Sequence, residues 1–75
     1  MVERWREALK AVEEASALLD AASRMAVEAK ELVEGNYITR SQVKIESLLD
    51  IVRVAEARLG SALENLKALE GGRSG

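Results

Sequence analysis

The chain has 75 residues, a formal net charge of −2, 32% charged and 48% hydrophobic residues, and two aromatic side chains, Trp5 and Tyr37. It contains no cysteine and no histidine, which excludes disulfides, thiolate metal sites, and the commonest metal ligand and general base. A domain this small buries a modest share of its surface and is marginal unless stapled or oligomeric, so length alone raises the expectation of a partner.

The first ten residues carry Glu3, Arg4, Arg6 and Glu7 with no apolar run behind them, so no secretory signal is expected. Every apolar run falls far short of a membrane span, and the default location is cytoplasmic. From Val2 to about Glu34 there is neither glycine nor proline and the apolar residues keep a helical period. Gly35-Asn36 breaks it, the two residue types that best tolerate a left-handed cap. Thr39 with Gln42 reads as a capping box, and Ile38 with Val43 as a hydrophobic staple. The expected fold is therefore all-α: an antiparallel, coiled-coil-like helical hairpin over residues 1–70. Helix 1 spans about 2–34, the turn 35–39 and helix 2 about 40–69, followed by a flexible tail at 71–75 that begins with Gly71-Gly72. Helices of about 30 residues predict a rod roughly 45–50 Å long.

Helix 2 carries two heptad rows, Ile38-Ile45-Val52-Leu59-Leu66 and Ser41-Leu48-Ala55-Ala62-Leu69. Helix 1 carries Arg4-Ala11-Leu18-Met25-Leu32 with Ala8, Ala15, Ala22 and Ala29 between them. Folding at the turn pairs them in constant register: Leu32 with Ile38, Met25 with Ile45, Ala22 with Leu48, Leu18 with Val52, Ala15 with Ala55 and Ala8 with Ala62. The alanine layers predict a close helix approach, near the lower end of the usual 8–10 Å.

Helix 1 has apolar surface to spare. A second, offset row runs Val2, Trp5, Leu9, Val12, Ser16, Leu19, Ser23, Ala26 and Val33, interrupted by Lys30; helix 2 adds Leu49, Ile51, Val54 and Leu63 outside its seam. A heptad-spaced stripe of this extent marks an interaction site rather than scattered surface leucines. The expected protein interface comprises Trp5, Leu9, Val12, Ser16, Leu19, Ser23, Ala26, Leu49 and Leu63. Its simplest occupant is a second copy, giving a homodimeric four-helix bundle. In layout and length this architecture resembles the repressor-of-primer proteins, small plasmid RNA-binding hairpin dimers; the likeness implies a hairpin dimer and transfers no site residue.

No catalytic, cofactor or metal site emerges. Glu28, Glu31 and Glu34 recur at helical spacing, but a bundle metal site needs inward carboxylates with Glu-x-x-His support. The serines lack a base, and no glycine-rich phosphate loop exists. Arg40, Lys44, Arg53 and Arg58 are the candidate nucleic-acid contacts, and Arg4, Arg6, Lys10 and Lys67 add further basic charge. Residues 1–34 hold five basic and eight acidic groups, net −3, and residues 35–75 six and five, net +1. The basic groups are interleaved with acids, and Glu7–Lys10, Asp50–Arg53 and Glu64–Lys67 are spaced for helix-stabilising pairs. Trp5 is either an interface anchor or a plug at the bundle end. Gly60, mid-helix beside Ser61, permits a close approach or a bend, or simply faces solvent. The expected function is a non-enzymatic, self-associating interaction module, an adaptor, regulator or inhibitor acting on an unidentified protein; the alternative is an RNA- or DNA-binding hairpin dimer using basic residues paired across the dimer.

Overall fold

The computed structural model describes residues 2–74 and, among them, the side chains of residues 3–71. Two helices, α1 (Val2–Glu34) and α2 (Ile38–Ser74), pack against each other as a hairpin, a rod with Cα extents of 57 × 15 × 13 Å. Val2's place on the offset row and Gly75 of the expected tail lie outside the described side chains.

The turn is built by hydrogen bonds that close α1. The Tyr37 N–H donates to the Leu32 carbonyl and the Asn36 N–H to the Val33 carbonyl, both at 3.0 Å. This six-to-one and five-to-two pair is a Schellman motif, and its left-handed residue is Asn36, with φ 62°. Gly35 does not supply the positive φ. It is small for another reason: a Cβ there would lie 2.7 and 2.9 Å from Cε2 and Cδ2 of the Tyr37 ring, which rests on its backbone.

The second helix begins two residues earlier than its sequence predicts. The Tyr37 carbonyl accepts the Ser41 N–H at 2.9 Å and the Ser41 hydroxyl at 2.6 Å, so Tyr37 is the cap residue and Ile38 the first helical one. Thr39 therefore sits inside the helix, where its side chain makes no hydrogen bond, and the capping box with Gln42 does not form. Ile38, 72% exposed, and Val43 are not buried as a staple would be. The Schellman turn reverses the chain in fewer residues than the capping box assumes, so α2 starts at Ile38 and the Ser41 hydroxyl back-bonds to the Tyr37 carbonyl one turn before it.

Helix α2 also runs on through Gly71 and Gly72 to Ser74, where a flexible tail was expected. Glycine ends a helix by turning left-handed, and no described glycine has a positive φ. The extra turn explains why the rod exceeds the expected length.

The buried core is alanine: Ala8, Ala11, Ala15, Ala22, Ala29, Ala55 and Ala62, with Ser41, and no large side chain is fully buried. Leu18, Met25, Leu32, Leu48 and Leu69 are half-buried beside it. The row Ser41-Leu48-Ala55-Ala62-Leu69 lies in the seam as predicted. The row Ile38-Ile45-Val52-Leu59-Leu66 does not; its members are 38–72% exposed. The layers that placed Ile38, Ile45 and Val52 between the helices are thus corrected. Ile51, expected outside the seam, is half-buried on the opposite flank with Lys44 and Asn65. The cause is spacing: helices that meet alanine on alanine leave no room between their axes for β-branched and leucyl side chains, which splay to the flank. Register is nonetheless constant. Lys44 bridges Glu28 at 2.9 Å and Arg58 bridges Glu14 at 3.0 Å, with both helices advancing by the same number of residues between the bridges. Gly60 is exposed and a Cβ there would meet nothing within 4 Å, so it faces solvent and serves no close approach.

Two expectations follow from this packing. Ala15→Leu or Ala22→Leu will cost about 1–3 kcal/mol in urea unfolding, since a tight seam cannot absorb the added volume, whereas Ala57→Leu on the exposed side will change little. Gly35→Ala will lower the melting temperature in the natural chain, where the new methyl displaces the Tyr37 ring. In a Tyr37→Ala background the same change will raise it, because alanine then contributes helix propensity of up to about 1 kcal/mol without a clash.

Candidate protein interface

The seam divides the hairpin into two unlike sides. On one, the α1 flank Glu7-Glu14-Ala21-Glu28 runs beside the α2 flank Lys44-Ile51-Arg58-Asn65. This side is stitched across the helices by the Glu28–Lys44 and Glu14–Arg58 bridges and by a 3.4 Å hydrogen bond from Arg4 to Asn65. On the other side the flanks are apolar: Trp5-Val12-Leu19-Ala26-Val33 on α1 and Ile38-Ile45-Val52-Leu59-Leu66 on α2. Contacts at both ends of the rod show that these two rows share a side. Trp5, Leu9, Val12 and Leu66 line one shallow groove at the open end, and Val33, Ile38, Gln42 and Ile45 line another at the turn.

Outside these rows lie two more at heptad spacing, Leu9-Ser16-Ser23-Lys30 and Gln42-Leu49-Glu56-Leu63. All nine residues expected at an interface are exposed: Trp5, Leu9, Val12, Ser16, Leu19, Ser23, Ala26, Leu49 and Leu63. Trp5 is 59% exposed and borders the open-end groove, so it does not plug the end of the single hairpin. Sequence reasoning placed Leu49 and Leu63 of α2 on this face but missed the α2 row nearer the seam, because it assigned Ile45, Val52, Leu59 and Leu66 to the core. The signal was present in the alanines: a row of Ala8, Ala15, Ala22 and Ala29 facing Ala55 and Ala62 is wide enough for methyl groups and too narrow for isoleucine. Val27, Val43 and Val54 are exposed singly elsewhere, which is ordinary for a surface.

The four candidate nucleic-acid residues do not converge. Arg40 stacks over the Tyr37 ring at 5.4 Å, Lys44 pairs with Glu28, Arg53 with Asp50 at 3.5 Å, and Arg58 with Glu14. They occupy three different heptad positions, so no basic stripe forms. Of the expected same-helix pairs, Asp50–Arg53 closes, while Glu7–Lys10 and Glu64–Lys67 do not come within 4 Å; Lys30 instead meets Glu34 at 3.7 Å. Among the described residues no three acidic side chains are grouped to hold a metal ion, and no helix is long and apolar enough to cross a membrane. Comparison with protein-family models, curated proteins and solved structures gives no match.

The stitched side and the apolar side make opposite demands on mutagenesis. Lys44→Ala and Arg58→Ala remove partly exposed bridges, and each will lower unfolding free energy by no more than about 1 kcal/mol. Neither will change the mass of the particle in sedimentation.

Proposed function

We propose that the chain is a non-enzymatic protein–protein interaction module that self-associates: two hairpins join apolar side to apolar side as a four-helix bundle, forming a small adaptor or regulator that presents helical surface to another protein. One observation carries this reading. The residues buried within the hairpin are alanines and one serine, while its aliphatic heptad rows stand exposed along one side. A buried methyl or methylene contributes only about 0.8 kcal/mol, against about 1.5–3 kcal/mol for a fully buried leucine, valine or isoleucine. Much of the hydrophobic stabilisation that these rows can contribute is therefore unrealised in a single hairpin. A side of 57 by 15 Å is of the order of the ~800 Å² that each partner contributes to a stable interface.

The absence of histidine and cysteine supports the non-enzymatic reading, because the usual general base and thiol nucleophile are missing. The nucleic-acid alternative gains nothing from the geometry, since the four candidate side chains are each engaged within the hairpin and form no common stripe. Structured RNA titrated at low salt, where phosphate contacts are strongest, will show no binding.

Val12→Asp with Leu19→Asp tests the interface directly. Both residues lie on the apolar side and outside the alanine seam, so the double variant will sediment as a monomer and lose much of its thermal stability, because a buried unpaired carboxylate costs several kcal/mol and hairpin folding is coupled to association. Leu18→Asp, on the inner seam, will unfold the chain by circular dichroism. A Val12/Leu19 variant with the natural mass and melting temperature would sink the dimer reading.

A further inference from the structure

We infer that the two hairpins of the dimer lie with their turns at the same end, so that α1 of each protomer faces α2 of the other. This rests on the dimer proposed above and specifies its geometry. A twofold dimer that covers one side of a rod has two arrangements. With the axis along the rod, α1 faces the partner's α2 and the turns lie together. With the axis across the rod, in the plane of the interface, α1 faces the partner's α1 and the turns lie at opposite ends. Every helix is antiparallel to its neighbours in both, so the helix dipoles do not choose. The side chains of the outer rows do.

The cross-helix contacts set each residue's level along the rod to within one helical turn: Glu14 reaches Arg58, Arg4 reaches Asn65 and Ala8 clusters with Ala62. Ser16, two residues after Glu14, stands level with Glu56, two before Arg58. By the same offset Leu9 stands level with Leu63, Ser23 with Leu49 and Lys30 with Gln42. Glu56 is the one acid on these four levels (its row continues beyond them to Glu70), is exposed, and has no ion pair within 4 Å among the described residues. When the turns lie together, each level meets its own counterpart across the interface: Leu9 meets Leu63, the Ser16 hydroxyl is placed to donate to the Glu56 carboxylate, the Lys30 ammonium to donate to the Gln42 carbonyl, and Ser23 against Leu49 is the one polar–apolar level of the four. When the turns lie apart and the rods overlap fully, Leu9 meets Lys30, Leu63 meets Gln42 and Glu56 meets Leu49. Each of these sets a polar group against an apolar one, and a carboxylate buried without a donor is costly. Sliding the rods until Glu56 reaches Gln42 carries Leu9 and Leu63 past the partner's turn and uncovers them.

Net charge agrees. Residues 1–34 carry −3 and residues 35–75 carry +1. Turns together place each acidic helix beside the partner's slightly basic one; turns apart place −3 beside −3. Packed helices lie about 8–10 Å apart, close to the screening length of ~8 Å at physiological salt, so this difference survives only between neighbours, which is where the two arrangements differ.

Thr39 is exposed at the turn, its side chain makes no hydrogen bond, and the chain has no natural cysteine. A spin label on Thr39→Cys therefore reports the arrangement by dipolar spectroscopy beside a mass measurement on the same sample. The expected result is a dimeric mass with an inter-label distance below about 30 Å, set by packed helix diameters and label length. A dimeric mass with a distance of about 40–50 Å, set by the rod's length, would overturn the arrangement and leave the dimer standing. A monomeric mass with no inter-label coupling would overturn both.

Discussion

The close approach of two helices along alanine is the constraint on which everything else in this molecule depends. Ala8, Ala15, Ala22 and Ala29 recur every seven residues on α1, and Ala55 and Ala62 oppose them on α2, all buried. At that separation the hairpin has no interior in the usual sense. Methyl groups fill the gap, a few larger side chains such as Leu18 and Leu48 are half-buried beside them, and the remaining large residues lie on a flank or the outer surface. The flanks then diverge in chemistry. One holds Glu14 and Glu28 within reach of Arg58 and Lys44, and closes by ion pairs. The other holds isoleucine, valine, leucine and tryptophan, which stand 38–72% exposed in the hairpin.

The turn serves the same constraint. Antiparallel helices that touch along their whole length need a link that is short and fixed in direction. A Schellman closure with Asn36 in the left-handed region supplies it, and the Tyr37 carbonyl then accepts the first bond of the next helix, from Ser41. A Cβ at Gly35 would crowd the Tyr37 ring, which lies beside Arg40. A turn this rigid fixes the register at one end, and the two salt bridges keep it without slip farther along.

From this follows the functional consequence. A chain whose own core is made of methyl groups has little to lose by remaining a simple hairpin and much to gain by covering its apolar side. Ser16, Ser23, Gln42, Glu56 and Lys30 interrupt that side at regular spacing, and these interruptions, more than the aliphatic rows, limit what can sit on it. A uniformly apolar stripe accepts many neighbours in many registers; one with a carboxylate and two small hydroxyls set among leucines accepts few.

The sequence by itself determined two helices, a turn at Gly35-Asn36, an antiparallel hairpin in constant register and the α1 half of the exposed apolar side. These are properties of local periodicity and of chain breakers, and they are legible without knowing any distance. Only the tertiary structure decided which heptad row of α2 faces inward. Ile38-Ile45-Val52-Leu59-Leu66 and Ser41-Leu48-Ala55-Ala62-Leu69 have the same spacing, and hydrophobicity favours the first. The helices select the second because small side chains permit a separation that large ones forbid. The start of α2 and its passage through Gly71-Gly72 were likewise settled by backbone geometry: a cap depends on which carbonyl accepts the first bond, and a glycine stop on a left-handed φ that those residues do not adopt.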